Sequence, residues 1–313
     1  MKITRAYQIK TGISILIQSK RYCPIFVVLK TISIFSIINI FQINCEFMRE
    51  AVKKLSSGFI KNKDEGKIKI LGDVKFFDDF ESKFLHNKRK IFVWLPPAYK
   101  SNPDKKYPVL YMHDGQNLVD PKTAYAGYDW RVDETATKLI KNHKVKPFII
   151  VGINNTNDRL DEYSETEKGR NYLQFIVNEL KPFVDSNFRT LTDRNNTAIM
   201  GSSMGGLISF LAVWNYSDVF SKAGCMSSSF YYHSDHVINL VKSYIGNKKD
   251  IKIYIDHGED GLVRGQQMFC ALTQKGFVIG TDVDYYYAPG AEHHEKEWAK
   301  RLERPLKFFF GNK

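Results

Sequence analysis

The motif Gly201-Ser202-Ser203-Met204-Gly205 has the residue types and the spacing of a nucleophile turn. It follows the apolar run 197–200 and precedes a pattern of helical period, so we predict a tight turn from a strand into a helix. Small residues at both ends suit such a crowded turn, which holds its central serine exposed. Ser203 is therefore the predicted nucleophile, and the amide of Met204 is a predicted donor to a tetrahedral oxyanion. A plain Gly-Ser-Ser turn is the alternative.

A serine hydroxyl needs a general base, and the base needs a carboxylate that holds it in the correct tautomer. After a nucleophile turn of this type, the chain order is serine, acid, histidine. His293 and His294 follow the last predicted strand. We predict His293 as the base, because His294 is placed to begin or cap the final helix. His257 and His113, each at the end of an earlier predicted strand, are the alternatives.

The acid is expected in the loop after residues 251–255, which offers three carboxylates. Asp260 comes two residues after Gly258, where the loop can turn its side chain toward the base. We therefore predict Asp260 as the acid. Asp256 is the alternative, and Glu259 is expected to point away.

A second backbone donor for the oxyanion is expected from the loop that follows an early strand. That strand is predicted over residues 109–112, and Asp114-Gly115-Gln116 comes just after it. A glycine lets the backbone turn its amides inward, so the N–H of Gln116 is the predicted second donor. An ordinary Asp-Gly turn would explain this loop if it stood alone.

Short β-branched and aromatic runs alternate with longer segments of helical period, which predicts an α/β fold. Its central sheet should be mostly parallel, with helices on both faces. Ligands bind beyond the carboxyl ends of such strands, where the residues above are placed. The predicted strands are 90–95, 108–112, 148–153, 197–200, 223–227, 251–255 and 283–287, and the predicted helices are 130–141, 171–183, 204–216, 236–245, 263–275 and 295–309. We assign 85–313 to one catalytic domain and 48–84 to a short lead-in region.

The composition favours a globular protein that does not bind nucleic acid. The chain has 313 residues, 43% of them hydrophobic, and a formal net charge of +12. Residues 1–45 carry six of the basic residues and no acid, so the remainder is only mildly basic. Elsewhere the Lys and Arg residues are scattered among acids, which is typical of a solvated surface. The four cysteines have no metal-ligand spacing.

The first 47 residues allow two interpretations. Five positive charges within residues 1–21 and the charge-free apolar run 31–45 resemble a signal sequence or a membrane anchor. The other interpretation makes residues 1–47 a non-native extension, with Met48 as the true start. The first implies an exported or membrane-anchored protein, and the second a cytoplasmic one.

With these motifs the sequence resembles the putative esterase family of α/β-hydrolases, which includes esterase D-like, enterochelin esterase-like and feruloyl esterase-like proteins, the last grouped with carbohydrate esterase family one. The resemblance runs from Arg89 to Phe310. The motifs that carry it are Val93-Trp94-Leu95-Pro96-Pro97-Ala98-Tyr99, Tyr111-Met112-His113-Asp114-Gly115-Gln116-Asn117-Leu118, Arg159 with Glu162-Tyr163, Gly201-Ser202-Ser203-Met204-Gly205-Gly206, and Gly290-Ala291-Glu292-His293 with Trp298.

The resemblance implies the α/β-hydrolase fold and a carboxylic-ester hydrolase that needs no cofactor and acts on a small-molecule ester. Ser203, Asp260 and His293 take the triad positions. Acyl transfer, or a thioesterase or peptidase role, is the alternative on the same fold, and a binding domain without catalysis is the alternative from another class. The substrate contacts that the resemblance suggests are Asp114, Arg159, Glu162, Tyr163 and, in the aromatic segment 228–232, Tyr231.

Overall fold

The chain divides into two compact units, residues 1–66 and residues 67–313. The computed structural model describes residues 5–8, 14–17, 70–260 and 262–312. In the first unit, strand β1 (Arg5–Gln8) pairs antiparallel with strand β2 (Ser14–Ile17).

The apolar run 31–45 and the alternative start at Met48 lie outside the described residues. The two interpretations of residues 1–47 therefore stay predictions, as do the domain boundaries at 48–84 and 85–313. Among the described residues, no helix combines the length and the apolar character that a membrane span requires.

The second unit is built on an eight-stranded sheet. Its strands are β3 (Asp73–Ser82), β4 (Asn87–Leu95), β5 (Val109–His113), β6 (Ile149–Ile153), β7 (Thr197–Ser202), β8 (Lys222–Met226), β9 (Lys252–His257) and β10 (Val283–Tyr287). Their order across the sheet is β10-β9-β8-β7-β5-β6-β4-β3. Neighbours from β10 to β6 pair in parallel, whereas β4 pairs antiparallel with both β6 and β3. The sheet is mostly parallel, as predicted.

Helices connect the parallel strands, because a parallel pair needs a crossover that returns the chain to the same end of the sheet. They are α1 (Val132–Lys141), α2 (Arg159–Glu162), α3 (Glu167–Phe175), α4 (Lys181–Asn187), α5 (Met204–Asn215), α6 (Tyr232–Ser243), α7 (Leu262–Gln274), α8 (Glu295–Arg301) and α9 (Glu303–Phe310). A π-helical turn, Ile176–Leu180, joins α3 to α4.

Both faces of the sheet are buried, since successive residues of one strand contribute to two separate cores. In β5, Val109 and Tyr111 belong to the core on one face. Leu110 and Met112 belong to the core on the other. The alternation follows from the period of two along a strand, and apolar residues at every position are what a sheet covered on both faces requires.

The parallel arrangement brings the predicted chemistry to one edge of the sheet. The carboxyl ends of β5, β7, β8 and β9 lie at His113, Ser202, Met226 and His257. Because these four strands are parallel neighbours, the loops that leave them emerge side by side.

Several features of the second unit were not predicted from the sequence. Helix α2 was not predicted, and the predicted helix 171–183 is divided into α3, the π-helical turn and α4. Strand β3 lies in the lead-in region, where we predicted no strand, and its pairing with β4 shifts register between Phe77 and Phe80. The final helix, predicted as 295–309, is two helices that meet at Leu302. Pro305 lies in the first turn of α9 and has no N–H to donate to the preceding turn, which ends the regular ladder there.

Candidate active site

Ser203 lies in a strained turn between β7 and α5. Its backbone has φ 55° and ψ −122°, a conformation that non-glycine residues seldom adopt. The turn is so tight that a Cβ atom added to Gly201 would lie 2.8 Å from the carbonyl carbon of Gly205. The crowding explains the glycine at 201 and leaves the serine side chain at the start of the helix, where it lines a pocket.

The Ser203 hydroxyl lies 3.2 Å from the Ser229 hydroxyl. The backbone of the same pair is also joined, because the Ser229 N–H donates to the Ser203 carbonyl at 3.0 Å. His293 lines the same pocket as Ser203. Within the described residues, no hydrogen bond links the Ser203 hydroxyl directly to a histidine.

His293 and Asp260 form a hydrogen-bonded pair between Nδ1 and Oδ2. The other carboxylate oxygen of Asp260 accepts the Gly258 N–H at 2.9 Å. Burial acts to raise the pKa of Asp260, but the hydrogen bond and the charge of His293 outweigh it and lower that pKa to about 2. The imidazole also packs edge-on against Trp298, with ring centroids 5.0 Å apart. With Nδ1 held by the carboxylate, Nε2 is the ring nitrogen left for other chemistry.

The other two acids of this loop have partners elsewhere. Asp256 is fully buried and pairs with Arg301, with its Oδ1 3.0 Å from the guanidinium Nε. Burial raises the pKa of Asp256, and the positive charge of Arg301 opposes that shift. Glu259 faces outward, where its carboxylate accepts the Tyr287 hydroxyl at 2.6 Å. Of the three carboxylates predicted as candidates, the structure brings Asp260 to His293.

His294 caps helix α8, as the sequence predicts. Its Nδ1 accepts the N–H of Lys296 at 3.1 Å, and its ring packs against Tyr128. The side chain also lines the pocket, next to His293. This cap engages Nδ1 with the backbone, and among the described residues no carboxylate is hydrogen-bonded to the His294 ring.

His113 and His257 are buried. Burial lowers the pKa of His113 to about 3 and that of His257 to about 4, so both rings are neutral at neutral pH. The His113 Nδ1 lies 2.8 Å from the Tyr172 hydroxyl. Neither residue lines the pocket that contains Ser203.

The two predicted oxyanion donors are the backbone amides of Met204 and Gln116. Within the described residues, no protein acceptor is recorded for the amide of Met204 or that of Gln116. The loop of Gln116 is tightly placed, because a Cβ on Gly115 would meet the side-chain oxygen of Asn154 at 2.7 Å. The Gln116 side chain is fixed as well, since its Oε1 accepts the N–H of Asn155 at 3.2 Å.

The pocket has a volume of about 570 Å³, which lies within the usual range for small-molecule sites. A charged group forms one of its walls. Arg159 binds Asp114 through two hydrogen bonds, Nε to Oδ1 at 2.7 Å and Nη2 to Oδ2 at 2.8 Å. Burial acts to lower the pKa of Arg159, but the hydrogen bonds and the charge of Asp114 raise it overall. The lining residues are Asp114, Gln116, Asn117, Thr123, Tyr125, Ala126, Asn155, Arg159, Ser202, Ser203, His293, His294, Glu295 and Trp298.

Three of the five predicted substrate contacts do not line this pocket. The Glu162 carboxylate is buried and pairs with Arg89 at 2.7 Å. Tyr163 is also buried, and its hydroxyl accepts the Asp114 N–H at 3.3 Å, so it supports the pocket wall from behind. Tyr231 is about half exposed and lies outside the lining. Glu162 comes only three residues after Arg159. Its side chain is buried in the core, whereas Arg159 lines the pocket.

Several residues near the site were not predicted from the sequence. Asn155 donates to the Asp114 carboxylate at 2.6 Å and completes the charged wall. Ser227 and Ser229 follow the carboxyl end of β8. Their position directly after a strand was the only sequence signal that they lie near the site. This signal is weak because serines are common in such loops. Their contacts also depend on the order of strands in the sheet.

A group of acids apart from this pocket brings its carboxylate oxygens within 4.8 Å of one another: Asp129, Asp133 and Glu134. Protein groups already contact all three. The Leu71 N–H donates to Asp133 at 2.6 Å, the Arg131 N–H donates to Asp129 at 3.2 Å, and the Arg131 side chain pairs with Glu134 at 3.1 Å. Burial, followed by the hydrogen bond to Glu134, raises the pKa of Asp133 to about 7.

Comparison with known proteins identifies similar sequences. The family model described as Putative esterase matches residues 82–309. The uncharacterized protein YbbA of Bacillus subtilis (strain 168) is 25% identical over 248 residues, which cover 71% of this chain and 93% of that protein. The endo-1,4-beta-xylanase/feruloyl esterase of Xylanibacter ruminicola is 26% identical over 228 residues, which cover 70% of this chain and 29% of that protein.

Solved structures show the same architecture. A ferulic acid esterase superimposes with a TM-score of 0.65 and 25% identity, over 77% of this chain and 98% of that one. The enterobactin esterase FES from Shigella flexneri has a TM-score of 0.62 and 16% identity, over 76% of this chain and 59% of that one. At this lower identity the likeness concerns the fold alone.

The matched range of the family model contains the serine turn, the loops of Asp260 and His293 and the sheet from β4 to β10. This confirms the α/β-hydrolase fold and the family resemblance predicted from the sequence. The chain belongs to the Putative esterase family and is a carboxylic ester hydrolase.

Proposed function

We propose that this protein hydrolyses small carboxylic esters through a Ser203-His293-Asp260 triad and an acyl-enzyme intermediate. The observation that supports the proposal is that one pocket contains both the Ser203 side chain and His293, whose Nδ1 is bonded to Asp260. This bond selects the tautomer that presents a basic Nε2 to the pocket.

Acylation begins when the Ser203 hydroxyl turns from Ser229 toward His293. The oxygen attacks the ester carbonyl carbon while its proton passes to Nε2. The carbonyl π electrons move onto oxygen, and the amides of Met204 and Gln116 donate to the resulting oxyanion. Such donors are fixed before the reaction, so they stabilise the new charge without reorganisation.

The intermediate then collapses and the bond to the alcohol oxygen breaks. His293 gives its proton to the departing alcohol, which leaves Ser203 esterified. In deacylation a water molecule attacks the acyl carbon while its proton passes to His293. The proton returns to the Ser203 oxygen as the carboxylic acid leaves, which restores the free enzyme.

Asp260 stabilises the imidazolium that forms in both halves of the reaction. Its pKa of about 2 keeps the carboxylate ionised at neutral pH. The carboxylate on Nδ1 keeps the hydrogen of the neutral ring on that nitrogen, so Nε2 is the atom that accepts the serine proton.

The proposal is tested with Ser203→Ala and hydrolysis of p-nitrophenyl acetate. We expect kcat to fall by about 10⁴- to 10⁶-fold with the fold intact, since the loss of a triad nucleophile has effects of this size. A fluorophosphonate probe should label the wild-type protein and not the variant. The matched control is Ser209→Ala, in which a buried serine of the same helix loses a hydroxyl that donates to the Gly205 carbonyl at 2.7 Å. Full activity of Ser203→Ala would contradict the assignment.

Product analysis separates hydrolysis from transfer to another acceptor. The acyl product should be the free acid even when an alcohol competes with water as the acceptor. The panel compares acetyl, short-chain acyl, feruloyl and siderophore esters, with a thioester and a peptide anilide to test the other two roles. Turnover of oxygen esters should exceed that of the thioester and the anilide.

A further inference from the structure

Ser227 connects helix α8 to Asp260. It follows β8 directly, and its side chain is buried. Its hydroxyl oxygen accepts the indole N–H of Trp298 at 3.1 Å and an Nη2–H of Arg301 at 2.7 Å. Asp260 Oδ1 lies 3.5 Å from the same hydroxyl.

The chemistry of these neighbours determines where the hydroxyl hydrogen points. A serine hydroxyl has two lone pairs and one hydrogen, whereas indole and guanidinium N–H groups only donate. The two donors therefore occupy both lone pairs of Ser227. In the described part of the chain, Asp260 Oδ1 is the acceptor recorded for its hydrogen. The 3.5 Å separation is long, but the direction follows from the two shorter bonds.

The two donors are themselves held in place. Arg301 is buried, and its Nε lies 3.0 Å from the fully buried carboxylate of Asp256. Trp298 is three residues earlier on the same helix, and its ring packs against His293. The Ser227 N–H is fixed by Asp256 as well, which accepts it through its carbonyl oxygen at 2.9 Å. Helix α8 thus contacts the imidazole directly and the carboxylate through one serine.

We propose that Ser227 is a positioning residue for the acid of the triad: held by Trp298 and Arg301, it directs its hydroxyl hydrogen to Asp260 Oδ1 and so fixes the face that Asp260 presents to His293. This inference rests on the proposed function. With Gly258 and Ser227 both on Oδ1, the carboxylate cannot rotate without losing hydrogen bonds, and Oδ2 stays on the imidazole.

Several charged and titratable groups among the described residues surround the pair, and Glu259 and Glu292 are its neighbours in the chain. Arg301 and Asp256 neutralise one another in a buried ion pair. His257 is buried, and the lowering of its pKa to about 4 leaves it neutral at higher pH. His294, Glu295 and the paired Arg159 and Asp114 line the same pocket as His293. Replacing Ser227 removes the acceptor of Arg301 Nη2 and leaves the ion pair between Arg301 and Asp256 in place.

The test is the pH dependence of kcat/KM for p-nitrophenyl acetate in Ser227→Ala and Ser227→Gly. The base must be neutral, so kcat/KM rises with pH through the pKa of the free enzyme's base. If Asp260 is held less well, it stabilises the imidazolium less. The rising limb of the pH profile of kcat/KM then moves to lower pH by about 0.5 to 1 unit. We expect kcat/KM at the plateau to fall by about 10- to 100-fold, the effect of losing one well-placed hydrogen bond.

Two variants are needed because Ser227 has a positive φ of 41°. Glycine adopts this conformation without strain, whereas alanine does not, so a shift seen in both reports the lost hydroxyl. The active-site concentration is measured as the amount of Ser203 that the fluorophosphonate labels at completion. Rates are divided by this concentration, so unfolded protein does not contribute to them. The control is Ser221→Ala, the buried serine that precedes β8, whose hydroxyl accepts Lys222 Nζ at 3.3 Å and which should keep the wild-type profile.

An unshifted limb in both Ser227 variants overturns the inference, whether or not the rate falls, because a purely structural loss lowers the plateau alone. The proposed function fails on a separate result, namely an active Ser203→Ala variant. If Ser203→Ala is inactive and the pH profiles of both Ser227 variants are unshifted, the triad is supported and the positioning role of Ser227 is rejected.

Discussion

The serine turn and the acid–base pair face the same pocket but are positioned by different means. Ser203 is held by its immediate chain neighbours, since Gly201 and Gly205 leave room for one turn geometry. His293 has a side chain that is 41% exposed, and its recorded hydrogen bond goes to Asp260, 33 residues earlier. The nucleophile is thus fixed by local geometry, and the base by a contact between two loops.

This difference predicts two kinds of failure. Substitutions in the serine turn disturb packed backbone, so they should lower stability together with activity. Substitutions in the exposed acid–base loops remove few buried contacts, so they should lower activity in a protein that remains folded. The variants below test this contrast.

The largest expected effect is that of His293→Ala. We expect kcat to fall by about 10⁴- to 10⁶-fold, as for loss of a triad base, with little change in the thermal unfolding midpoint. His294→Ala is the matched comparison: because this ring is not paired with Asp260, its loss should lower kcat far less, while the lost helix cap should cost about 1 kcal/mol of stability. Kinetics and thermal unfolding of both variants provide the test, and an active His293→Ala would make His294 the base.

Glu162→Gln should lower the stability of the protein, because Glu162 is buried, and should leave substrate binding unchanged. It leaves Arg89 buried without its carboxylate, which should cost about 3–5 kcal/mol in the free energy of unfolding. KM should not change, because Glu162 lies outside the pocket lining. Denaturant unfolding and steady-state kinetics measure the two quantities. In Asp158→Asn, the exposed pair with Lys168 is lost instead, and the cost should stay below about 1 kcal/mol. A raised KM for Glu162→Gln would indicate that Glu162 contributes to substrate binding, as predicted from the sequence.

Gly201→Ala should destabilise the serine turn by about 1–3 kcal/mol, the usual cost of forcing extra volume into packed structure. The added methyl would meet backbone at 2.8 Å, which cannot move aside as a side chain can. In Gly205→Ala the nearest atom is the His113 Cβ at 3.3 Å, so the cost should be smaller. Chemical denaturation of both variants compares them, and equal costs would contradict the role given to backbone crowding.

The smallest effect is the pH dependence of stability due to Asp260. Its pKa is lowered on folding to about 2, so its contribution is present above the pKa of the unfolded chain and is lost as pH falls through the folded value. We expect about 1–2 kcal/mol to disappear between about pH 4 and pH 2. Asp260→Asn should lack this part of the dependence. Identical acid unfolding curves for the two proteins would show that the His293 contact contributes nothing to stability.

The same contrast explains which residues could be predicted from the sequence. Ser203 and its glycines are contiguous, so the motif and the flanking strand and helix suffice to place them. The choice of His293 over His294 followed from the position of the last helix. Glu162 was placed in the substrate site because its loop follows β6, but its partner Arg89 is 73 residues away and could not be seen in a local pattern.

Other features depend on the order of strands, which a single sequence does not determine. Ser227 matters because β8 and β9 are neighbours and bring it beside Asp260. Strand β3 was not predicted because consecutive acids, Asp78 and Asp79, interrupt the alternation expected of a strand. The structure accommodates the interruption through the shift in register against β4.

That irregular pairing has a consequence for how copies of the protein meet. Among the described residues, strand β3 is the outermost strand of the sheet, and an outermost strand with free backbone groups can pair with a strand of another molecule. The extra residue twists this edge locally, and Asp78, paired with Lys90 at 2.7 Å, places charge beside it. Regular edge-to-edge growth into aggregates is thereby opposed at the side of the sheet where Phe76 is exposed.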